Sequence, residues 1–244
     1  HNLAVIHNGV DGVRAQQSRF ANKLEMLMKL NWETADDLSK FGWKYGTDKS
    51  TNHRYTPYYH QVFTPVRNTT HTLLEVGVFK GESLKMWRDY FTNSMIYGID
   101  YFRGNADGTW GELNRRVKLD AKFGPRIAMF DVNQSSIVEM ERAFAENQPL
   151  GQAAPYDIIV EDGSHMNRDQ QLTFGQLFPL VRPGGIYVIE DTASSYSQGY
   201  DEKPGSPDTT AEVVRYFNAT GRFLIYPSVA GARTQSAPRW LRFA

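Results

Sequence analysis

One feature constrains the fold of this chain more than any other: from residue 72 onward, short apolar runs alternate with stretches of helical periodicity. The apolar runs fall at 72–76, 95–99, 127–130, 157–160, 186–189 and 222–226, and helical patterns fall near 82–90, 137–146, 169–181 and 211–218. Such alternation predicts a parallel sheet with crossover helices on its faces, an α/β fold. A last run at 239–243, after a Gly/Ser/Pro-rich turn, would close a hairpin and bring the mostly parallel sheet to seven strands. Ahead of this region, Phe20, Leu24, Leu27 and Met28 recur at helical spacing, which predicts an amphipathic helix over 13–30. The domain reading is an N-terminal helical extension over 1–44 followed by one α/β domain over 45–244, a length able to bury a single core. The segment 45–57 reads as a polar, aromatic loop with no core role, and 103–124 as an insertion on the ligand side of the sheet.

Composition removes several function classes. With 27 basic and 27 acidic side chains, no global field draws the chain to nucleic acid or an anionic membrane. The basic run Arg115, Arg116, Lys118, Lys122 and Arg126 is interleaved with Leu119 and Phe123, as on a solvated amphipathic face. Zero cysteines exclude disulfides, thiolate metal sites and cysteine nucleophiles. No apolar run has the roughly 18 residues that span a bilayer, and the opening residues lack a signal-peptide layout. Three Asn-x-Ser/Thr sequons occur, at Asn68, Asn133 and Asn218. A glycan on Asn133 would block the crevice inferred below, so the expected compartment is the cytoplasm. Helix 13–30 and the aromatic surface admit a homo-oligomer.

Chemistry-bearing residues gather at strand ends, where open α/β sheets bind ligands. The first strand runs into Glu75-Val76-Gly77, with Gly81 opening the next helix, so the backbone can approach a ligand closely. It is neither a dinucleotide fingerprint nor a phosphate-binding P-loop. The next strand ends at Asp100, a carboxylate roughly twenty residues on that suits a ribose diol. The third leads into Asp131-Val132-Asn133-Gln134-Ser135, which can read an adenine edge or cap a helix.

The fourth strand runs into Glu161-Asp162-Gly163-Ser164-His165, and the fifth ends in Glu190-Asp191. Asp162, Glu190 and Asp191 on adjacent strands would repel one another without a cation, and an all-oxygen set favours Mg²⁺ (or Mn²⁺) or Ca²⁺ over zinc. Pairing with Arg168, Arg182 or a helix N-terminus is the structural alternative. His165, three residues past Asp162, is the candidate general base beside a metal-activated hydroxyl, because imidazole titrates near neutrality.

These residues together carry a resemblance: Tyr45-Gly46-Thr47-Asp48-Lys49 with Tyr55, Leu74-Glu75-Val76-Gly77, Ser83-Leu84-Lys85-Met86-Trp87, Tyr97-Gly98-Ile99-Asp100, Glu161-Asp162-Gly163-Ser164-His165 and Tyr187-Val188-Ile189-Glu190-Asp191. From about Tyr45 to Tyr196 the chain resembles the metal-dependent sugar O-methyltransferases of macrolide biosynthesis. The resemblance implies a Rossmann-like class I methyltransferase fold, S-adenosyl-L-methionine (SAM) as methyl donor, Mg²⁺ as the usual metal, and a sugar-bearing small-molecule acceptor. It implies cofactor contacts at Tyr45, Thr47, Glu75, Gly77, Ser83, Asp100, Asp131, Gln134 and Glu161, metal ligands at Asp162, Glu190 and Asp191, and His165 as base, with 45–55 closing the site. Glu161 stands where the family generally has Asp, and Asn133-Gln134-Ser135-Ser136 replaces a more acidic run. Two other readings stay open: a non-haem iron hydroxylase, against which stands the single crevice histidine counted in the sequence, and a non-catalytic SAM-binding module, against which stand the retained acids and base. Tyr196 and Tyr200 are expected at the acceptor pocket.

Overall fold

The computed structural model describes residues 4–7, 34–102 and 123–220. Its strands are β1 (Ala4–His7), β2 (Thr72–Val76), β3 (Met95–Asp100), β4 (Ile127–Asp131), β5 (Tyr156–Glu161) and β6 (Val181–Ile189). The α-helices are α1 (Asp37–Tyr45), α2 (Asp48–Thr51), α3 (Thr56–Phe63), α4 (Glu82–Tyr90), α5 (Ile137–Ala143), α6 (Pro149–Ala153), α7 (Asn167–Leu177) and α8 (Thr210–Thr220). The strand order is β1-β6-β5-β2-β3-β4, with β2 to β6 parallel and β1 antiparallel on β6. The chain thus builds outward from β2 through β3 to β4, then crosses to the other side of β2 to lay down β5 and β6. The reversal places a topological switch point between β2 and β5, where such sheets bind ligands.

Strand residues alternate between two cores because successive side chains point to opposite faces. Leu73, Ile158, Val160, Ile186 and Val188 pack beneath α3 and α4, where Trp87 meets Tyr59 and Phe63 edge-on at ring separations of 5.1 and 5.8 Å. Leu74, Ile159, Tyr187 and Ile189 face the other way, toward Phe174 of α7 and Phe217 of α8. Local chemistry sets the helix ends: Asp36 accepts the Ser39 N–H at 2.8 Å to start α1, and Gly46, at φ 76°, ends it.

The α/β class stands, but the sheet among the described residues has six strands, five of them parallel, rather than seven. The expected strands at 222–226 and 239–243 and the helix at 13–30 lie outside the described residues. The strand β1, which the hydrophobic pattern did not reveal, extends the sheet beyond β6. The segment 45–57 is corrected too. It contains α2 and opens α3, and Lys49 and Tyr55 within it are only 1% and 2% exposed. Its polar atoms find partners inside the protein, which lets a hydrophilic stretch form core.

Candidate active site

A cavity of about 730 Å³ opens at the carboxyl ends of β2, β3, β5 and β6. Its floor is the turn after β2, which must carry glycine. Gly77 has φ 91°, and a Cβ there would lie 1.9 Å from the Asp162 carbonyl oxygen, so the β2 and β5 turns touch backbone to backbone. Asp100 lines the cavity while its Oδ2 accepts the N–H groups of Val78 and Phe79 at 2.7 and 2.8 Å. This carboxylate therefore fixes the turn and faces the ligand space at once. Gln134 also serves both ends: its Oε1 accepts the Ser164 N–H at 2.9 Å, and its Nε2 donates to Glu161 Oε1 at 3.0 Å.

The acids and the histidine expected from the sequence meet at the cavity's rim. Ligand atoms of Asp162, His165 and Asp191 lie within 4.8 Å of one another. His165 Nε2 is 3.5 Å from Asp191 Oδ2, and His165 Nδ1 is buried without a hydrogen-bond partner. Glu190 lines the cavity as well, but its Oε1 accepts from Tyr59 and lies 2.8 Å from Lys49 Nζ. Asp191 Oδ1 accepts the Tyr55 hydroxyl at 2.6 Å. His165 and Asp191 adopt left-handed backbone conformations, φ 59° and 52°, as does cavity-lining Phe79 at 49°. Such strain persists only where surroundings over-determine it, and it concentrates at functional sites.

Burial shifts the acids upward. Burial raises Glu190 well above the usual carboxylate range, helped by the charge of Asp162 and opposed by Lys49. Burial likewise raises Asp162 against the pull of Lys49. Glu75 is pushed up to about 7 by burial, with Lys49 opposing, and Glu161 to about 8 by burial, with the Gln134 hydrogen bond opposing.

Among the expected cofactor contacts, Thr47, Gly77, Ser83, Asp100 and Gln134 line the cavity. Glu75 and Glu161 stand behind it, fully buried; Glu75 Oε2 accepts the Ser83 hydroxyl at 2.7 Å, and Glu161 holds Gln134. Tyr45 and Asp131 do not line it. The Tyr45 hydroxyl is bound by Asp89 and Arg88 of α4, and Asp131 sits exposed at the end of β4. Tyr196 and Tyr200 do not line it either. Lys49 and His53 are among the residues left unassigned in the sequence. Lys49 is buried among the acids, and His53 stacks on Tyr55 at 5.2 Å and lines the cavity with its Nδ1 3.8 Å from Asp191. His53 makes a second crevice histidine where the sequence had counted one, though it falls outside the Asp162, His165, Asp191 group. Position between polar neighbours gave no signal for either.

Known proteins bear directly on this geometry. Residues 74–192 match the family model described as a methyltransferase domain. The chain is 34% identical over 173 residues to the mycinamicin VI 2''-O-methyltransferase of Micromonospora griseorubida, covering 67% of this chain and 38% of that protein. It is 32% identical over 185 residues to the demethylmacrocin O-methyltransferase of Streptomyces fradiae, covering 72% of this chain and 42% of the relative. Among solved structures it is similar to the MycE methyltransferase of the mycinamycin pathway in complex with Mg and SAH, with a TM-score of 0.60 and 27% identity over 84% of this chain and 48% of that one. The chain spans less than half the length of these relatives. It has a Rossmann-like methyltransferase fold, its residues 74–192 match a methyltransferase-domain family, and by sequence it is a homologue of sugar O-methyltransferases of macrolide and polyketide biosynthesis.

Proposed function

We propose that this chain is a SAM- and divalent-metal-dependent O-methyltransferase whose acceptor is a hydroxyl on a sugar-bearing small molecule. The observation that carries the reading is the meeting of Asp162, His165 and Asp191 at the rim of a cavity floored by the Gly77 turn. The donor set fits the implied metal: carboxylate oxygens suit a hard cation such as Mg²⁺ or Mn²⁺. The unpartnered Nδ1 of His165 also marks unmet polar demand at this rim. Asp162, Glu190 and Asp191 would hold the ion. The cavity's 730 Å³ is in the range of cofactor sites, and Asp100, Gln134, Thr47 and Ser83 would hold SAM along its walls. The MycE structures, one of them with Mg, SAH and mycinamycin VI, support a glycosylated acceptor.

When bound, SAM supplies an electrophilic methyl group on a sulfonium leaving group, and the metal ion makes the acceptor hydroxyl more acidic. The protein's own work is to orient and to move one proton. His165 accepts the hydroxyl proton as the oxygen forms its bond to the methyl carbon and the carbon–sulfur bond breaks. Asp191, 3.5 Å from Nε2, stabilises the imidazolium that results. Val76, Val78, Ile99 and Val132 line the cavity and exclude water from the donor side.

Calorimetry with SAM, with and without Mg²⁺, followed by methyl transfer to a panel of hydroxylated sugars and glycosides, tests this reading. SAM should bind the wild type, and His165→Ala should keep that affinity while losing ~10²- to 10⁴-fold in kcat. Absence of SAM binding overturns the proposal, and metal-independent transfer removes its metal half.

A further inference from the structure

One charged group in the site has no part in the proton transfer. Lys49 is 1% exposed, on the short helix α2, and its Nζ contacts three acids from three different strand ends. It lies 3.4 Å from Glu75 Oε1 at the end of β2 and 2.8 Å from Glu190 Oε1 beyond β6, and it donates a hydrogen bond to Asp162 Oδ2 beyond β5. A lone buried ammonium would be costly, and the three acids within 3.4 Å of Nζ supply the partners that offset this cost. The same α2 and α3 region ties the rim twice more, through Tyr55 to Asp191 and Tyr59 to Glu190. These ties make the segment a fixed wall.

We propose that Lys49 is a positioning residue: its ammonium is the built-in counter-cation that holds Glu75, Asp162 and Glu190 in one assembly, leaving the second Asp162 oxygen beside His165 and Asp191 for a divalent ion. Three carboxylates this close repel unless a cation sits among them, and removing one partner of a buried ion network leaves the others uncompensated. The donor-side residue Glu75 and the metal-side residues Asp162 and Glu190 are thereby fixed relative to one another by a single charge. A divalent ion at the rim and the Lys49 ammonium share Asp162, so each weakens the other's attraction to it. The metal half of this inference rests on the function proposed above; the counter-cation half does not.

The experiment is thermal unfolding of wild type, Lys49→Met and the double variant Lys49→Met/Glu75→Gln, each with EDTA and with saturating Mg²⁺. Without metal, Lys49→Met should lower Tm by ~10 °C, and Glu75→Gln in that background should recover at least about half of the drop by removing a buried carboxyl group that must otherwise stay uncompensated or take up a proton. Mg²⁺ should raise the Tm of Lys49→Met by more than it raises that of wild type, because the ion replaces the missing charge. Recovery by Glu75→Gln is the deciding arm. A drop it does not recover means that Lys49 merely fills space, and an unchanged Tm in Lys49→Met means that it does nothing; either result overturns the proposal. If Lys49→Met does not fold, folding of the double variant supports the proposal and its failure overturns it. If Mg²⁺ shifts no protein, wild type included, the metal reading fails, while the Glu75→Gln arm still decides the role of Lys49.

Discussion

The two ends of β5 carry acids under opposite regimes. At its start, Asp157 accepts the N–H groups of His71 and Thr72 at 2.7 and 2.9 Å, and Arg182 Nε as well. Burial works against its charge, but these donors prevail and hold its pKa below the ordinary value. At the other end, burial outweighs the donors that Glu161 and Asp162 have, and both are raised. The first carboxylate is a satisfied staple joining β5 to β2 and β6. The second pair is held in a state that costs stability, as expected where a site must keep capacity for a ligand. In the proposed reading, clustered charge at the strand's carboxyl end serves the site, and saturated charge at its amino end serves the architecture.

Paired substitutions should separate the two ends most sharply. Asp162→Asn is expected to cut metal-dependent methyl transfer by roughly 100-fold or more, with a small change in Tm. Asp157→Asn should leave kcat per folded molecule unchanged and lose about 2 kcal/mol in urea denaturation, since it weakens charge-assisted bonds to buried backbone donors. Loss of transfer in the second variant, or a large loss of stability in the first, would break the contrast.

pH sharpens it further. Glu161 binds its proton more tightly folded, at about 8, than at its ordinary 4.5, so its contribution to stability declines as pH rises between those values. That decline is at most ~1.4 kcal/mol per pH unit for one proton. Glu161→Gln should flatten this part of the stability curve. Asp157, with a lowered pKa, gives the opposite sign: its contribution is present above the ordinary carboxylate range and is lost as pH falls through its folded value. Urea melts at a series of pH values should show one slope removed by Glu161→Gln and the other by Asp157→Asn. The smallest effect is expected away from both ends. Glu212 pairs with Arg215 on α8, where Arg215 is half exposed, and Glu212→Ala should change stability by less than ~0.5 kcal/mol and leave methyl transfer intact.

Much of the framework was legible because it is written locally. Apolar runs such as 157–160 and 186–189 name strands by their own composition, and acids at strand ends are placed by the strand that precedes them. Asp100, Asp162, His165 and Asp191 could thus be put at one edge before any tertiary contact was known. Tyr45 shows the limit of motif reading: it lies two residues before cavity-lining Thr47, yet its hydroxyl turns to Asp89 on α4. The brief strand β1 carries too little pattern to stand out, and its partner β6 lies far along the chain, at a separation across which no local rule operates.

By itself the sequence determined the α/β class, the succession of the central strands along the chain and the residue types at their ends, since these follow from periodicities a few residues long. The tertiary structure alone decided that Lys49 is core. A lysine between Asp48 and Ser50 looks solvated, and only packing of α2 against strand ends 26, 113 and 141 residues away (Glu75, Asp162 and Glu190) replaces its water with three carboxylates. The physical reason is that burial of a charge depends on partners remote in the chain, whereas strand and helix preference depends on neighbours.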